Sequence, residues 1–157
     1  MPLKEKFIIS LEEANRHIQL ADHLTYVTFP IVKENRLLLK ALEEIYDALT
    51  KIISAVLQYE YAQKRIEIYK DAKENFRTFV QLSEKYGIKK EQLKKIIDIM
   101  ALAEKHKKSP FEFAKGEKIV IMSDNMTTET VTLDKIKFSL IETKDFLRKV
   151  SLAIKRT

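Results

Sequence analysis

Arg16 and His23 stand seven residues apart, close to two turns of an α-helix, so on a helix both side chains project from one face. An arginine in that position can hold a phosphate and a histidine can exchange a proton near neutral pH, a pairing suited to phosphodiester chemistry. The same stretch carries Glu13, His17 and Asp22, residue types that ligate metals, with Glu13 and His17 one turn apart. Carboxylate bundles that hold two metals use a Glu-x-x-His pair from each of two helices. That pair occurs nowhere in this chain, so the expectation is no metal and no cofactor. Further along, Lys89, Lys90, Gln92, Lys94 and Lys95 lie within seven residues. On one helix, such side chains add to a basic surface that favours an anionic partner. His106 sits in Lys105-His106-Lys107-Lys108, at a helix C-terminus where positive charge is favoured, which suits a structural or phosphate-contacting role. Tyr59 and Tyr61, or Phe76 and Phe79 beside Arg77, have ring faces on which bases stack, but their helical spacing marks them first as core.

The Arg-x6-His spacing of Arg16 and His23 resembles the motif of the HEPN-family ribonucleases. That resemblance implies a small bundle built around long antiparallel helices, commonly dimeric, with Arg16 and His23 as the catalytic pair of a metal-independent ribonuclease or a toxin-system component. In that family the motif usually lies late in the bundle, whereas here it falls on the first helix. A second resemblance covers residues 76–103. Leu82, Ser83, Tyr86, Gly87, Ile88, Leu93 and Ile96 are similar in spacing to a helix-turn-helix, with a small residue at the helix crossing, glycine at the turn and apolar anchors on both sides. This implies that the second helix, from Lys89, is a recognition helix that presents Lys89, Lys90, Gln92, Lys94 and Lys95 to DNA.

These residues need elements to hold them. Ser10 with Glu13 reads as a capping box, and Leu11, Ala14, Ile18 and Ala21 then recur on one helical face, which predicts a first helix over about 11–27. Pro30 suits the first turn of a second helix. The stripe Leu38, Leu42, Ile45, Leu49, Ile52, Val56, Tyr59 continues through Ala62 to Ile66 without a breaker, predicting a rod of about 50 Å that must be covered by another helix or another subunit. Asp71 and Glu74 open a third helix, which Gly87 terminates in the left-handed conformation. A fourth runs from Lys89 to about Lys108 with Leu93, Ile96, Ile97, Met100 and Ala103 inward. Ser109-Pro110-Phe111-Glu112 reads as a cap and a single helical turn. Two β-branched runs, Lys118–Met122 and Thr128–Thr132, flank Ser123–Thr127 and predict a hairpin. Two strands alone are marginal in water, so the hairpin must lie on helices or extend another sheet, and next to a recognition helix it would serve as a wing. From Leu133, with Ile136, Leu140, Leu147, Val150 and Ile154, the helical period returns for a fifth helix.

Composition agrees with this plan. The 157 residues suit one domain, 1–157, and two glycines with three prolines leave little turn chemistry for a many-stranded fold. The predicted class is all-α in the main: an antiparallel bundle of about five helices with a small β-hairpin near 118–132. With no cysteine, disulfides, thiolate zinc, iron–sulfur clusters and cysteine nucleophiles are excluded. Gly87 and Gly116 alone cannot build a phosphate loop, a nucleophile elbow or a dinucleotide fingerprint. The start lacks a signal-peptide core and no run of ~18 apolar residues appears, so a cytoplasmic protein with no membrane partner is expected. Residues 64–118 hold 15 Lys and Arg against 9 Asp and Glu, a net +6, while residues 1–63 hold 7 against 9. That local excess favours an anionic partner. The leading expectation is therefore a non-enzymatic module that binds RNA or DNA through its basic middle segment. A HEPN-like ribonuclease and a structural bundle forming a homodimer through its second helix are the alternatives.

Overall fold

From Arg36 to Ala62 no glycine or proline interrupts the chain, and an apolar residue recurs every three or four positions; this segment forms the longest helix of the computed structural model, which describes residues 5–155. In chain order the elements are α1 (Lys6–His23), a π-helical turn (Leu24–Thr28), α2 (Phe29–Val32), α3 (Arg36–Ala62), α4 (Ala72–Leu82) with a 3-10 turn (Ser83–Tyr86), α5 (Lys90–Lys108), β1 (Phe111–Lys115), β2 (Lys118–Met122), β3 (Thr128–Val131) and α6 (Leu133–Lys155). Five of the six α segments are long, and the mainly helical plan read from the sequence is the one observed.

α3 is the axis of the fold. Leu38, Leu42, Ile45, Leu49 and Ile52 are fully buried, and Ala41, Ala48 and Ala55 let neighbouring helices approach closely. α1 packs antiparallel along α3, tied by Ser10 Oγ donating to Gln58 Oε1 (3.0 Å) and by Lys51 on Glu13 (2.8 Å). α5 also runs antiparallel to α3, with Tyr46 donating to Glu104. α6 runs antiparallel to α5 and contributes Ile136, Leu140, Phe146, Val150 and Ile154 to the same core. The rod is thus covered within one chain.

Three local readings are corrected. Ser10 is no cap: α1 begins at Lys6, and Ser10 faces inward against Gln58 because the α1–α3 register places it there. Pro30 does not open the second helix. It lies in α2, at the end of an almost unbroken helical run from Lys6, directly after the π turn. Proline cannot donate to the carbonyl four residues back and its ring crowds that turn, and Thr25 Oγ1 donates to the Ala21 carbonyl (2.7 Å), so the ladder widens here. The chain then reverses through Lys33 at φ 56°, and α3 starts at Arg36. α3 also ends at Ala62, short of Ile66. Lys64 is left-handed (φ 61°) and the Arg65 N–H reaches the Glu60 carbonyl (3.0 Å), a helix-ending motif that folds Arg65 back over the last turn.

The expected turn of helix at Ser109–Glu112 is instead the start of β1, so the hairpin is the second half of a three-stranded antiparallel sheet in the order β1-β2-β3. Phe113 pairs with Val120, and Val120 with Thr130. Ser109 Oγ donates to the carbonyls of Phe111 and Met122, bridging the strand ends, a tertiary pairing that a local cap-like pattern does not reveal. Ile119, Ile121 and Val131 pack into the helical core. His106 fastens sheet to bundle, with Nδ1 2.6 Å from Glu112 of β1 and Nε2 3.7 Å from Glu43 of α3.

Gly87 terminates the 3-10 turn at φ 80°, with the Ile88 N–H on the Ser83 carbonyl (3.0 Å). A Cβ there would meet nothing within 4 Å, so Gly87→Ala carries only the left-handed backbone cost of about 1–2 kcal/mol. Gly87→Asn should cost less, because asparagine tolerates that conformation, and urea unfolding midpoints of the two variants check the order.

Candidate nucleic-acid interface

The basic segment is built on three supports. Asp71 caps α4 by accepting from the Lys73 N–H (2.9 Å), and Asn75 clamps the preceding connection by exchanging two hydrogen bonds with the Tyr69 backbone (2.8 and 2.7 Å). At the other end of α4, Ser83, Tyr86 and Ile88 are buried around Gly87. The third support is Glu60, fully buried at the end of α3. It receives Arg65 through Nε and Nη2 on one oxygen (2.9 and 2.7 Å) and Lys85 on the other (2.6 Å). Burial pushes the Glu60 carboxyl up, but the hydrogen bonds from Arg65 and Lys85 outweigh it and hold the group below the usual range. Because Arg65 and Lys85 share one carboxylate, the connection 63–71 and the turn 83–89 form one continuous edge.

On that edge Lys64, Lys70 and Lys89 are exposed, as are Lys73 early in α4 and Lys90 and Lys94 early in α5. Among the described residues none of the six side chains makes a hydrogen bond or ion pair. Lys89 is the N-cap residue of α5 and offers no side-chain cap to the helix, whose N-terminus is the positive end of the helix dipole. Tyr69 is 52% exposed and Tyr61 54%. Tyr69, Lys64, Arg65, Ile66, Glu67 and Thr78 border an open depression of about 360 Å³.

Gln92 departs from its expected role at base edges. It is buried to 8% exposure and faces α6, where Nε2 donates to Asp145 (3.0 Å) and Oε1 accepts from Lys149 (2.7 Å). The Asp145 carboxyl is pushed up by burial but drawn down further by hydrogen bonds from Arg148, Lys149 and Gln92, to about 2. Lys95 is also engaged, 3.4 Å from Glu142 and over the Phe138 ring. α5 therefore turns its Gln92 side toward α6 and leaves Lys89, Lys90 and Lys94 outward. Ile97, expected inward, is exposed, and Ile99 takes the buried position. Tyr59 and Phe79 are core, and the end of α3 at Ala62 places Lys64 on the exposed connection that also carries Tyr69, where a helix running to Ile66 would not put it. The interleaved Lys64, Arg65, Tyr69, Lys70 is the sequence signal that locates this edge once α3 is known to stop.

On α1, Arg16 and His23 share a face and both are exposed. Among the described residues His23 has one hydrogen-bond partner, Thr28 Oγ1 at 3.3 Å, and Arg16 has none. Glu13, His17, Asp22 and His23 do not converge: Glu13 meets Lys51, His17 meets Glu44 at 2.6 Å and Asp22 meets Lys144. Among the described residues no helix is long and apolar enough to cross a membrane. Comparison with protein-family models, with curated proteins and with solved structures finds no match to this chain.

Proposed function

We propose that this protein is a non-enzymatic binding module for single-stranded nucleic acid, held along the edge formed by residues 61–94. The observation that carries the reading is the run of six exposed lysines without ion pairs beside the exposed rings of Tyr61 and Tyr69. Cations that track a backbone and aromatic faces that stack on successive bases are the two components of single-strand binding. Duplex reading is the weaker fit: Gln92 is turned away, Lys95 is engaged, and α5 offers no arginine for bidentate contact with guanine.

The test is binding of labelled single-stranded RNA, single-stranded DNA and duplex DNA over a salt series. Single strands should bind more tightly than duplex, with affinity falling steeply with salt. Lys89→Glu, Lys90→Glu and Lys94→Glu together should weaken binding on the order of tenfold or more and flatten the log–log salt dependence by about 2. Tyr69→Ala should cost about 1–3 kcal/mol of binding with the salt slope kept, and His23→Ala should change nothing. Salt-independent binding, or binding indifferent to the triple charge reversal, overturns the reading. Shortened RNA that disappears with His23→Ala transfers it to Arg16 and His23 as a nuclease pair.

A further inference from the structure

Two carboxylates on α3, Glu44 and Asp47, are three residues apart and therefore lie on one helical face. The antiparallel register of α1 on α3 sets His17 opposite them, and one ligand atom from each of the three residues lies within 4.8 Å of the other two. His17 Nδ1 is 2.6 Å from Glu44 Oε2, and Glu44 is nearly buried in the groove between the helices. We propose that His17, Glu44 and Asp47 form a binding site for a single divalent transition-metal ion, bridging α1 and α3.

The charge balance of the groove supports the site. Glu44 and Asp47 bring two negative charges into a partly dehydrated place. The one lysine on Glu44, Lys40, is 3.6 Å away and more than half exposed, and Asp47 has no hydrogen bond or ion pair among the described residues. Glu44 has His17 and Lys40 beside it, but the Asp47 side chain has no partner among the described residues, and a divalent cation supplies charge to both carboxylates in one step. The donor set sorts the ions. One imidazole nitrogen with two carboxylate oxygens suits Zn²⁺, Co²⁺, Ni²⁺, Mn²⁺ or Fe²⁺, and is too nitrogenous for Ca²⁺ and too hard for Cu⁺. Zinc holds such ligands at about 2.0–2.2 Å, which puts them about 3.3 Å from one another in a tetrahedron. To reach that value the His17–Glu44 pair, now at 2.6 Å, opens and the widest spacing of the three, within 4.8 Å, closes, while the fourth position stays open to water. A metal at Nδ1 takes the place of the direct His17–Glu44 contact and needs that ring nitrogen without a proton.

His106 provides the internal contrast. It also meets two glutamates, but Glu112 is on Nδ1 and Glu43 on Nε2, opposite sides of the ring, so no single ion reaches all three.

The test is equilibrium dialysis of the full chain against Zn²⁺, with Co²⁺ absorption as the readout of coordination and circular dichroism confirming that each variant is folded. One ion per chain is expected, together with a metal-dependent rise in melting temperature. His17→Gln and Asp47→Asn should each abolish both, whereas His106→Gln should retain them. Asp47→Asn removes no contact seen in the fold, so its effect reads the metal rather than stability. No uptake by the unmodified protein, or uptake that survives both His17→Gln and Asp47→Asn, would falsify the site.

Discussion

Replacing Arg65 and Lys85 together with methionine is expected to destabilise the protein by about 3–5 kcal/mol at neutral pH, the cost of leaving a buried carboxylate without partners. Glu60 has no exposed surface and takes both of its ion pairs from these two cations. A loss of that size is a large fraction of the stability of an ordinary domain, and urea unfolding with an unchanged slope would measure it. Two further results follow from the same physics. Adding Glu60→Met to the pair should recover most of the loss, since an apolar side chain needs no partner. The gap between the unmodified protein and the double variant should also narrow in acid. In the unmodified protein the Glu60 carboxyl lies below its ordinary value of about 4.5, so its contribution is present above that pH and lost as the pH falls through the folded value. In the double variant burial acts unopposed, and protonation relieves it. A small loss at neutral pH that does not change with acid would mean that water reaches Glu60.

Phe146→Ala should cost about 3–5 kcal/mol, as should Phe79→Ala. Both rings are fully buried, 5.8 Å apart at 56°, and Phe76 lies 6.0 Å beyond Phe79. Through this stack α6 holds α4, and with α4 the turn that presents Lys85 and Lys89. The double variant should lose less than the sum of the two, by about 0.5–1.5 kcal/mol for the ring pair. Where an alanine variant does not fold, leucine at the same position keeps most of the volume and allows the cycle to be closed. Amide exchange should show α4 opening before α3 in either single variant, and uniform exchange across the two helices would contradict the assignment of the stack as the tie.

The elements that could be read from the sequence are those whose evidence is local. The stripes of α3 and α6, the Asp71 cap and the left-handed Gly87 each follow from residues within one or two turns, and the structure places them as expected. What went unread depends on partners far along the chain. β1 exists because Phe111–Lys115 finds β2, and its own sequence favours no strand strongly enough to outweigh the cap-like Ser109-Pro110. Gln92 lies on the amphipathic boundary of α5, and only the arrival of Asp145 and Lys149 on α6 decides that it turns inward. His17 and Asp47 belong to different helices, and nothing in either stretch states the register that brings them together. The same limit applies to Pro30, whose proline signal was legible but fits both the start of a helix and the end of one.

The core draws on both ends of the chain at once: Ala14 and Ile18 near the beginning meet α3, and Phe146, Val150 and Ile154 near the end complete its other side. During synthesis, then, the apolar stripe of α3 is complete some seventy residues before α6 begins, and the side that α6 covers stays open for that interval. Apolar surface left open in an incomplete chain is adhesive, and the residues made in that interval include 64–118, whose net +6 is charge of the kind that opposes self-association.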